Sequence, residues 1–398
     1  MNILFFSSLY PDRDNPHKGV FNIDRVEALK NLGHNVIVVV PVSYTPPSKY
    51  LFPSPKIIRI VKHIIKVVRL PAYDSLFGIV VVRVKRLSLP YKILWKNDSD
   101  ILYFFNGKKI NNIINQYKVD AIVTSGLNPC AAYARRFKQH HNIPVISILE
   151  GSDILLAPLK YRGVAHIVKL VNNFADKSVF VSKNFQAEVL RAYNIKTSTV
   201  INNGYRDDIF FYSKKSKITP KSIINIISVG HLEYIKGHDI LLKSFTQLGN
   251  NFTLTLIGDG KLKNQYMEYT KELGIDDRVL FLGQISQEQI KQYLDKADLF
   301  CMPSRSESFG IAALECMATG IPVIGSNVGG LGGLIRNGFN GFTFKSESDE
   351  DLIKIITRAV KHSWKREDIA NWAKENYSWQ TWANEIITLC NKSGKSVT

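Results

Sequence analysis

The sequence predicts a two-domain α/β protein, and three observations lead to that prediction. A chain of 398 residues is longer than a single hydrophobic core usually organises. Short apolar runs that fit buried parallel strands recur along it, each near a segment of helical sequence. The pattern stops in a Lys/Ser-rich stretch, Tyr212–Lys221, and then restarts. We therefore expect a domain over 1–211, a linker over 212–222, a second domain over 223–375 and a C-terminal helix within 376–398.

The first half opens with a strand–helix–strand pattern. Ile3 to Phe6 is a continuous apolar run, and the helical pattern from about Val20 to Leu32 ends at Gly33. Further strands are expected at 36–40, 121–124, 145–149 and 178–181. In the second half they are expected at 223–229, 253–257, 279–281, 299–302 and 322–324. Both halves therefore predict Rossmann-like sheets with helices on their faces.

The segment from Lys49 to Lys96 does not follow this pattern. It holds eleven Lys or Arg and one acid, Asp74. Cations recur in it at spacings of three or four, with branched aliphatic residues between them: Lys56, Arg59, Lys62, Lys66 and Arg69. On a helix this gives a cationic side and an aliphatic side, as in helices that lie on membranes. A surface helix with a solvated charged stripe fits the pattern equally well.

The net charge of +18 is concentrated in the first half of the chain. Residues 1–210 contain 29 Lys and Arg against 14 Asp and Glu, and residues 211–398 contain 23 against 20. No aromatic-basic platform accompanies the charge, so we predict no nucleic-acid partner and favour an anionic membrane surface. Four scattered cysteines, the lack of a secretory signal and the lack of a long apolar run favour a cytoplasmic protein, peripheral on the inner face of the plasma membrane.

Two carboxylates stand out in residues 303–315, which follow a predicted strand and open a predicted helix. Glu307 lies just before the helix and Glu315 lies two turns inside it. The N–H groups of a helix N-terminus can bind a phosphate, and a carboxylate can accept hydrogen bonds from the vicinal hydroxyls of a sugar. The alternative is that Glu307 caps the helix and that Glu315 faces solvent.

Three glycine-containing steps follow other strands of the second half. The first runs from Gly230 to Gly237 and carries Lys236, a suitable partner for a diphosphate. The others are Gly258–Gly260 and Phe281–Gly283. None has the GxGxxG spacing of dinucleotide folds, which argues against NAD chemistry.

In this order, the motifs closely resemble those of the retaining glycosyltransferases of family 4. Their GT-B fold has two Rossmann-like domains facing each other across a cleft. The matching residues include Gly230, Lys236, Gly258, Asp259, Gly260, Phe281, Leu282, Gly283, Pro303, Ser304, Glu307, Phe309, Gly310, Glu315, Met317, Ala318 and Gly320. In the first half, Gly19-Val20 resembles the family's glycine loop and Asn203-Gly204 its turn before the interdomain link.

The resemblance implies a role for each matching residue. Lys236 would neutralise the departing diphosphate, Glu307 would bind the donor sugar and Glu315 would bind the ribose. The other implied donor contacts are Gly19, His231, Gly258, Leu280 beside the base, and the backbone of Phe309, Gly310 and Ile311. The implied donor is a UDP-sugar or GDP-sugar, without cofactor or metal. The implied acceptor is a glycan of bacterial cell-surface polysaccharide synthesis, which we expect to be lipid-linked.

Three positions depart from the family pattern. His231 replaces a common Arg, as a neutral hydrogen-bond donor or a structural residue, and Glu150 replaces a common His near the reacting centre, where we predict a catalytic role. Gly332 and Gly333 replace a Pro-Glu pair. These departures leave an inactive sugar-nucleotide-binding relative as the alternative function. Asp12–Asp14 and Asp98–Asp100 resemble a DxD metal motif, but the rest of the chain is not patterned for the fold that uses it.

Overall fold

A computed structural model describes residues 1–13, 15–16, 18–45, 57–76, 78–86, 97–156, 163–213 and 223–395. The described residues fall into two compact units. Unit 1 comprises those within Met1–Val181, Gln186–Ile201 and Gln380–Thr398, and unit 2 those within Ser182–Phe185 and Asn202–Trp379. Most of the predicted linker, residues 214–222, lies outside the described residues, and so does Lys56.

Unit 1 contains an eight-stranded sheet in the order β3-β4-β2-β1-β5-β6-β7-β8. Its strands are β1 Asn2–Ser7, β2 Asn35–Ser43, β3 Tyr73–Leu76, β4 Ile79–Arg86, β5 Ala121–Ser125, β6 Val145–Leu149, β7 Lys177–Phe180 and β8 Ser198–Val200. The described helices of the first half are α1 Val20–Asn31, α2 Ile57–Arg69, α3 Asp98–Tyr117, α4 Ala132–His141, α5 Val164–Phe174 and α6 Lys183–Ala192. All neighbouring strands are parallel except β3, which pairs antiparallel with β4.

Unit 2 contains a six-stranded parallel sheet in the order β11-β10-β9-β12-β13-β14. Its strands are β9 Ile224–Val229, β10 Phe252–Ile257, β11 Val279–Gly283, β12 Leu299–Met302, β13 Val323–Ser326 and β14 Gly341–Phe344. The helices after β9 are α7 His238–Phe245, α8 Lys263–Glu272, α9 Gln287–Leu294, α10 Ile311–Ala318, α11 Gly329–Leu334, α12 Asp349–Lys361, α13 Arg366–Asn376 and α14 Trp379–Lys395. Both sheets thus confirm the predicted α/β class.

The central strands are buried on both faces, which explains their continuous apolar runs. In β1, for example, Ile3, Leu4 and Phe5 have no exposed surface. Parallel strands bring their carboxyl ends to one edge of a sheet, and ligands of such folds bind at that edge. In unit 2 the edge carries the segments that follow β9, β10, β11 and β12, and these are the segments that the sequence singled out.

The basic segment contains more regular structure than the sequence predicts. Helix α2 is present, but the β3–β4 hairpin was not predicted. In β4, Arg83 is 2% exposed, and its guanidinium donates to Asp74 Oδ2 of β3 at 3.0 Å. A buried charge is tolerated when it is paired in this way. The charged residues within Ile79–Arg86 hid the strand pattern in the sequence, because the pairing of Arg83 with Asp74 is visible only in the three-dimensional structure.

Candidate active site

The glycine steps of unit 2 are hydrogen-bonded to one another along the carboxyl edge of its sheet. The N–H of Gly230 donates to Ile257 O at 2.9 Å, and that of Gly258 donates to Gly283 O at 2.8 Å. Leu232 N–H donates to Asp259 O at 3.0 Å. These bonds fix the three steps as one continuous surface, although the steps are separate in the sequence.

Lys236 lies on a single 3-10 turn, Tyr234–Lys236, and reaches across to the loop after β12. Its Nζ donates to Glu307 Oε2 at 2.5 Å. The side chains are 23% and 13% exposed, so the pair remains open to solvent and to a ligand. The structure therefore brings together the cation and the first carboxylate of the predicted site.

Arg305, a residue that the sequence analysis did not single out, holds the same two segments together. Its guanidinium donates to Tyr234 O at 2.6 Å and to both Asp239 oxygens at 2.8 and 2.7 Å. It also donates to Glu347 Oε1 and lies 3.8 Å from the centre of the Tyr234 ring. A charge-assisted network of this kind orders the turn that carries Lys236. The only feature of the sequence that could have identified Arg305 is its position two residues before Glu307.

Glu315 lies in the middle of α10 and is 8% exposed. Gln287 Nε2 donates to Glu315 Oε1 at 3.3 Å. The alternative that Glu315 faces solvent is therefore wrong. The alternative that Glu307 caps the helix is also wrong, because the N-cap residue of α10 is Gly310 and the helix has no side-chain cap.

Phe309, Gly310 and Ile311 form the start of α10, where backbone N–H groups have no partner within the helix. Phe309 is 3% exposed, and its ring lies 5.8 Å from that of Tyr377. The buried ring anchors the chain at the point where the helix N-terminus opens. The arrangement can present N–H groups and a positive dipole end to an anion.

Two further predicted donor residues of unit 2 are His231, which follows β9, and Leu280, which lies within β11. His231 is exposed, and its Nδ1 lies 3.4 Å from Asp259 O. Leu280 in β11 is 50% exposed and offers an apolar surface. Arg278, which precedes β11, donates to the backbone carbonyls of Phe245, Leu248 and Gly249 and so has a structural role.

A buried histidine lies next to the Lys236 turn. His238 is 2% exposed, and burial, together with the charge of Lys236, lowers its pKa to about 4. It is neutral at physiological pH and adds no charge to the site. His238 was not predicted from the sequence, because its burial depends on the fold.

In unit 1, Glu150 follows β6 and is held by a buried arginine. Arg25 of α1 has no exposed surface and donates to both Glu150 oxygens, at 2.5 and 3.3 Å. Ser125 Oγ donates to Glu150 Oε1 at 2.7 Å. The role of Arg25 was not predicted from the sequence, because its partner lies 125 positions away. Glu150 remains a predicted catalytic residue, with its carboxylate fixed by Arg25 and Ser125.

A second carboxyl group lies three residues further on. Asp153 Oδ2 accepts from Leu127 N–H at 2.6 Å, and Oδ1 is buried. Burial and the charge of Glu150 raise the pKa of Asp153 to about 6. The two groups form an acidic pair at the ends of β5 and β6, and Asp153 was not singled out from the sequence.

Gly19 caps the N-terminus of α1 with a left-handed φ of 67°. A Cβ at this position would overlap the carbonyl oxygen of Leu9. Asn22 Nδ2 donates to the same oxygen at 2.8 Å. Only glycine therefore fits this turn without rearrangement.

The described aspartates of the DxD-like segments are engaged by other side chains, and Asp14 lies outside the described residues. Asp12 pairs with Lys66 at 3.2 Å and Asp98 with Arg86 at 2.6 Å, while Asp100 accepts from Arg135 and Arg136. Within the described ranges, no group of three or more His, Cys, Asp and Glu could hold a metal ion. No described helix is long and apolar enough to cross a membrane.

Comparison with known proteins identifies both halves of the chain. Residues 19–208 match the model for glycosyltransferase family 4, and residues 208–377 match the model for glycosyl transferases group 1. An uncharacterised glycosyltransferase of Methanocaldococcus jannaschii is 30% identical over 285 residues, which cover 70% of this chain and 78% of the relative. TuaC of Bacillus subtilis, named as a teichuronic acid biosynthesis glycosyltransferase, is 25% identical over 92% of this chain and 91% of its own.

Solved structures share the fold over the full length. Sucrose-phosphate synthase from Thermosynechococcus elongatus is 17% identical, with a TM-score of 0.78 over 99% of both chains. HepE of Anabaena, solved in complex with UDP-glucose, is 20% identical, with a TM-score of 0.70 over 98% of this chain and 100% of its own. These neighbours establish the GT-B fold.

Proposed function

Since the chain belongs to glycosyltransferase family 4 and is a glycosyltransferase, we propose that it moves a sugar from a UDP-sugar to a glycan acceptor. The observation that carries the proposal is the Lys236–Glu307 pair on the carboxyl edge of the unit 2 sheet. It joins a cation suited to a diphosphate with a carboxylate suited to sugar hydroxyls. The complexes of HepE with UDP and UDP-glucose favour a uridine nucleotide.

The proposed reaction is favoured by stabilising the leaving group. The bond between the anomeric carbon and the diphosphate oxygen breaks, a bond to the acceptor hydroxyl oxygen forms on the same face of the sugar, and the hydroxyl proton passes to the departing diphosphate. Lys236 and the N-terminus of α10 neutralise the charge that develops on the departing diphosphate. We assign no protein nucleophile, and we propose retention of the anomeric configuration.

Glu315 and the backbone of α10 complete the proposed donor site. The buried Glu315 carboxylate accepts hydrogen bonds from the ribose hydroxyls, while Glu307 accepts from the sugar. Leu280 packs against the base. Because protein groups supply the positive charge, we propose that transfer needs no metal ion. Loss of activity with a chelator, restored by manganese, would contradict this part of the proposal.

A thermal-shift screen of the full chain with UDP-, GDP- and ADP-sugars tests the donor. A ligand that binds only the native state raises the melting temperature. We expect the largest shift with a UDP-sugar and little shift in the Lys236→Ala variant. A larger shift with a GDP-sugar would correct the base, and no shift with any of them would remove the proposed donor site.

We also propose that the acceptor is a lipid-linked glycan and that α2 lies on an anionic membrane. Its aliphatic side is exposed and has no apolar cover in the described structure: Ile57, Ile58, Val61, Ile64, Ile65 and Val68. Ile58 and Val68 are 71% and 57% exposed, which is unusual for branched aliphatics on one helix. The cations Arg59, Lys62, Lys66 and Arg69 border this side. The name of TuaC favours a polysaccharide acceptor.

Vesicle flotation tests this placement. We expect the chain to float with vesicles that contain phosphatidylglycerol and not with phosphatidylcholine alone. The double variant Ile58→Ser with Val68→Ser should lose most of the binding. The matched control replaces two exposed aliphatics elsewhere, Leu190→Ser with Val360→Ser, and should float normally. Equal loss in both double variants would contradict a role for α2.

A further inference from the structure

A basic cavity of about 790 Å³ lies in unit 1 between α2 and the carboxyl edge of its sheet. Asp12 and Lys18, in the loop after β1, form one side, and Ser43, at the end of β2, contributes to the floor. Arg59, Lys62, His63 and Lys66 line the α2 side. From the sequence, the α2 cations were expected on a membrane surface or in a solvated stripe, and Lys18 and His63 were not connected with them.

The charge of this cavity is strongly unbalanced. Among the described residues that line it, four are Lys or Arg and one, Asp12, is acidic. The Asp12 carboxylate lies 3.2 Å from Lys66 Nζ and also accepts from Asn15 Nδ2 at 3.1 Å. Cations therefore outnumber the one described carboxylate along this cavity, and they would attract an anionic ligand.

The environment of Lys18 supports the same conclusion. Partial loss of solvation in the cavity lowers the pKa of Lys18; Asp12 opposes this shift, and Lys66 and Arg83 add to it. An anion bound beside the ammonium group would favour its charged form. On the α2 side of the cavity, His63 is held in place, because its Nε2 lies 3.1 Å from the carbonyl oxygen of Ser43.

We propose that the basic cavity binds a phosphate-bearing ligand, supplied by the acceptor or by a lipid headgroup. Several separate ammonium groups suit a phosphoryl group, which carries more than one charge and accepts hydrogen bonds in several directions. The cavity lies at the sheet edge where ligands of such folds bind. This inference rests on the proposed transferase function, since it gives the acceptor a phosphate and a place in unit 1.

Calorimetric titration with inorganic pyrophosphate tests the cavity in the full chain. The Lys236→Ala background removes the proposed diphosphate contact of unit 2. We expect binding in this background, and affinity at least about tenfold lower once Arg59→Gln and Lys62→Gln are added. The matched control adds Lys169→Gln and Arg191→Gln, two exposed cations of α5 and α6, and should keep the affinity. Absence of binding, or equal loss in both, would overturn the inference.

Competition separates the two sources of phosphate. If pyrophosphate displaces the chain from vesicles containing phosphatidylglycerol, a lipid headgroup occupies the cavity. If pyrophosphate binds without displacing the vesicles, the cavity serves the phosphate of the acceptor. The part of the UDP-sugar thermal shift that is lost in Lys236→Ala reports on the donor site. A normal donor shift without pyrophosphate binding therefore overturns this inference and leaves the proposed function intact.

Discussion

Lys236 Nζ and Glu307 Oε2 lie 2.5 Å apart, although the residues are 71 positions apart in the sequence. Each is the other's partner in this ion pair. In the proposed donor complex they would have different partners, since the lysine would face the diphosphate and the glutamate would face the sugar. Binding of a nucleotide must therefore compete with the glutamate for the lysine, and this competition can be measured.

Replacement of each partner should change nucleotide binding in opposite directions. Lys236→Ala removes a charge-assisted contact worth about 1.5–3 kcal/mol, so UDP affinity should fall roughly tenfold or more. Glu307→Gln removes the competing charge, so UDP affinity should stay the same or rise while sugar transfer falls. Calorimetry with UDP and initial rates of transfer measure the two effects.

The Lys243–Asp349 pair provides a control for these variants. It joins the same kinds of group at 2.9 Å in the same unit, and it is not part of the proposed donor site. Lys243→Ala should leave UDP binding and transfer unchanged. A loss of UDP affinity in Glu307→Gln as large as that in Lys236→Ala would contradict the assigned roles.

The buried carboxylate of Glu315 should discriminate between nucleotides by their ribose hydroxyls. In the unsubstituted chain, UDP should bind at least about tenfold more tightly than 2′,3′-dideoxy-UDP, because a buried charged acceptor would lose its partners. In Glu315→Ala both nucleotides should bind with similar, weakened affinity. Calorimetric double-mutant cycles measure the coupling. If discrimination persists in Glu315→Ala, another residue holds the ribose.

The sequence predicted which segments of the proposed donor site lie along this sheet edge, because they follow strands that are easily identified. Gly230, Gly258 and Lys236 each follow an apolar run, and parallel strands bring their ends to one edge. Which of these residues touch could not be predicted. The Lys236–Glu307 and Arg305–Asp239 contacts depend on how separate loops fold over that edge.

The Arg25–Glu150 pair of unit 1 was harder to predict for a related reason. Arg25 is a buried charged residue of α1, and no local spacing in the sequence identifies its partner. Its partner, Glu150, follows a strand 125 positions later. The strand β4 was missed because Arg83 breaks its apolar run, while Asp74 supplies the counter-charge across the hairpin. Buried ion pairs between distant residues have no local pattern.

Two glycines of unit 2 allow the effect of backbone conformation to be separated from that of crowding. Gly237 and Gly274 have left-handed φ values of 66° and 64°. A Cβ on Gly274 would meet no atom within 4 Å, whereas one on Gly237 would overlap the carbonyl oxygen of Pro303. Gly274→Ala should therefore lower the unfolding free energy by about 1 kcal/mol, from conformation alone.

Gly237→Ala should lower the unfolding free energy further, by about 3 kcal/mol, because the loop that carries Pro303 must move. Lys236 is the preceding residue, so UDP affinity should also fall in this variant and remain normal in Gly274→Ala. Urea denaturation and calorimetry provide the measurements. Equal destabilisation by Gly237→Ala and Gly274→Ala would contradict the predicted free-energy cost of crowding at Pro303.

The raised pKa of Asp153 predicts a pH-dependent stability difference. Burial raises this pKa to about 6 from an ordinary value of 3.8. Between these two values the native state binds a proton that the unfolded state has released. The unfolding free energy contributed by this group therefore falls as the pH rises through that window, by up to about 3 kcal/mol.

Asp153→Asn keeps an oxygen that can accept from Leu127 N–H and removes the titration. The variant should equal the unsubstituted chain in stability near pH 4 and exceed it by up to about 3 kcal/mol at pH 7.5. Asp207→Asn, at an exposed aspartate, should change stability little at either pH. Thermal denaturation at both pH values measures the difference. If Asp153→Asn is less stable at pH 7.5, the ionised carboxylate is stabilised in the native state, and the acidic pair with Glu150 is maintained by a partner that compensates for its burial.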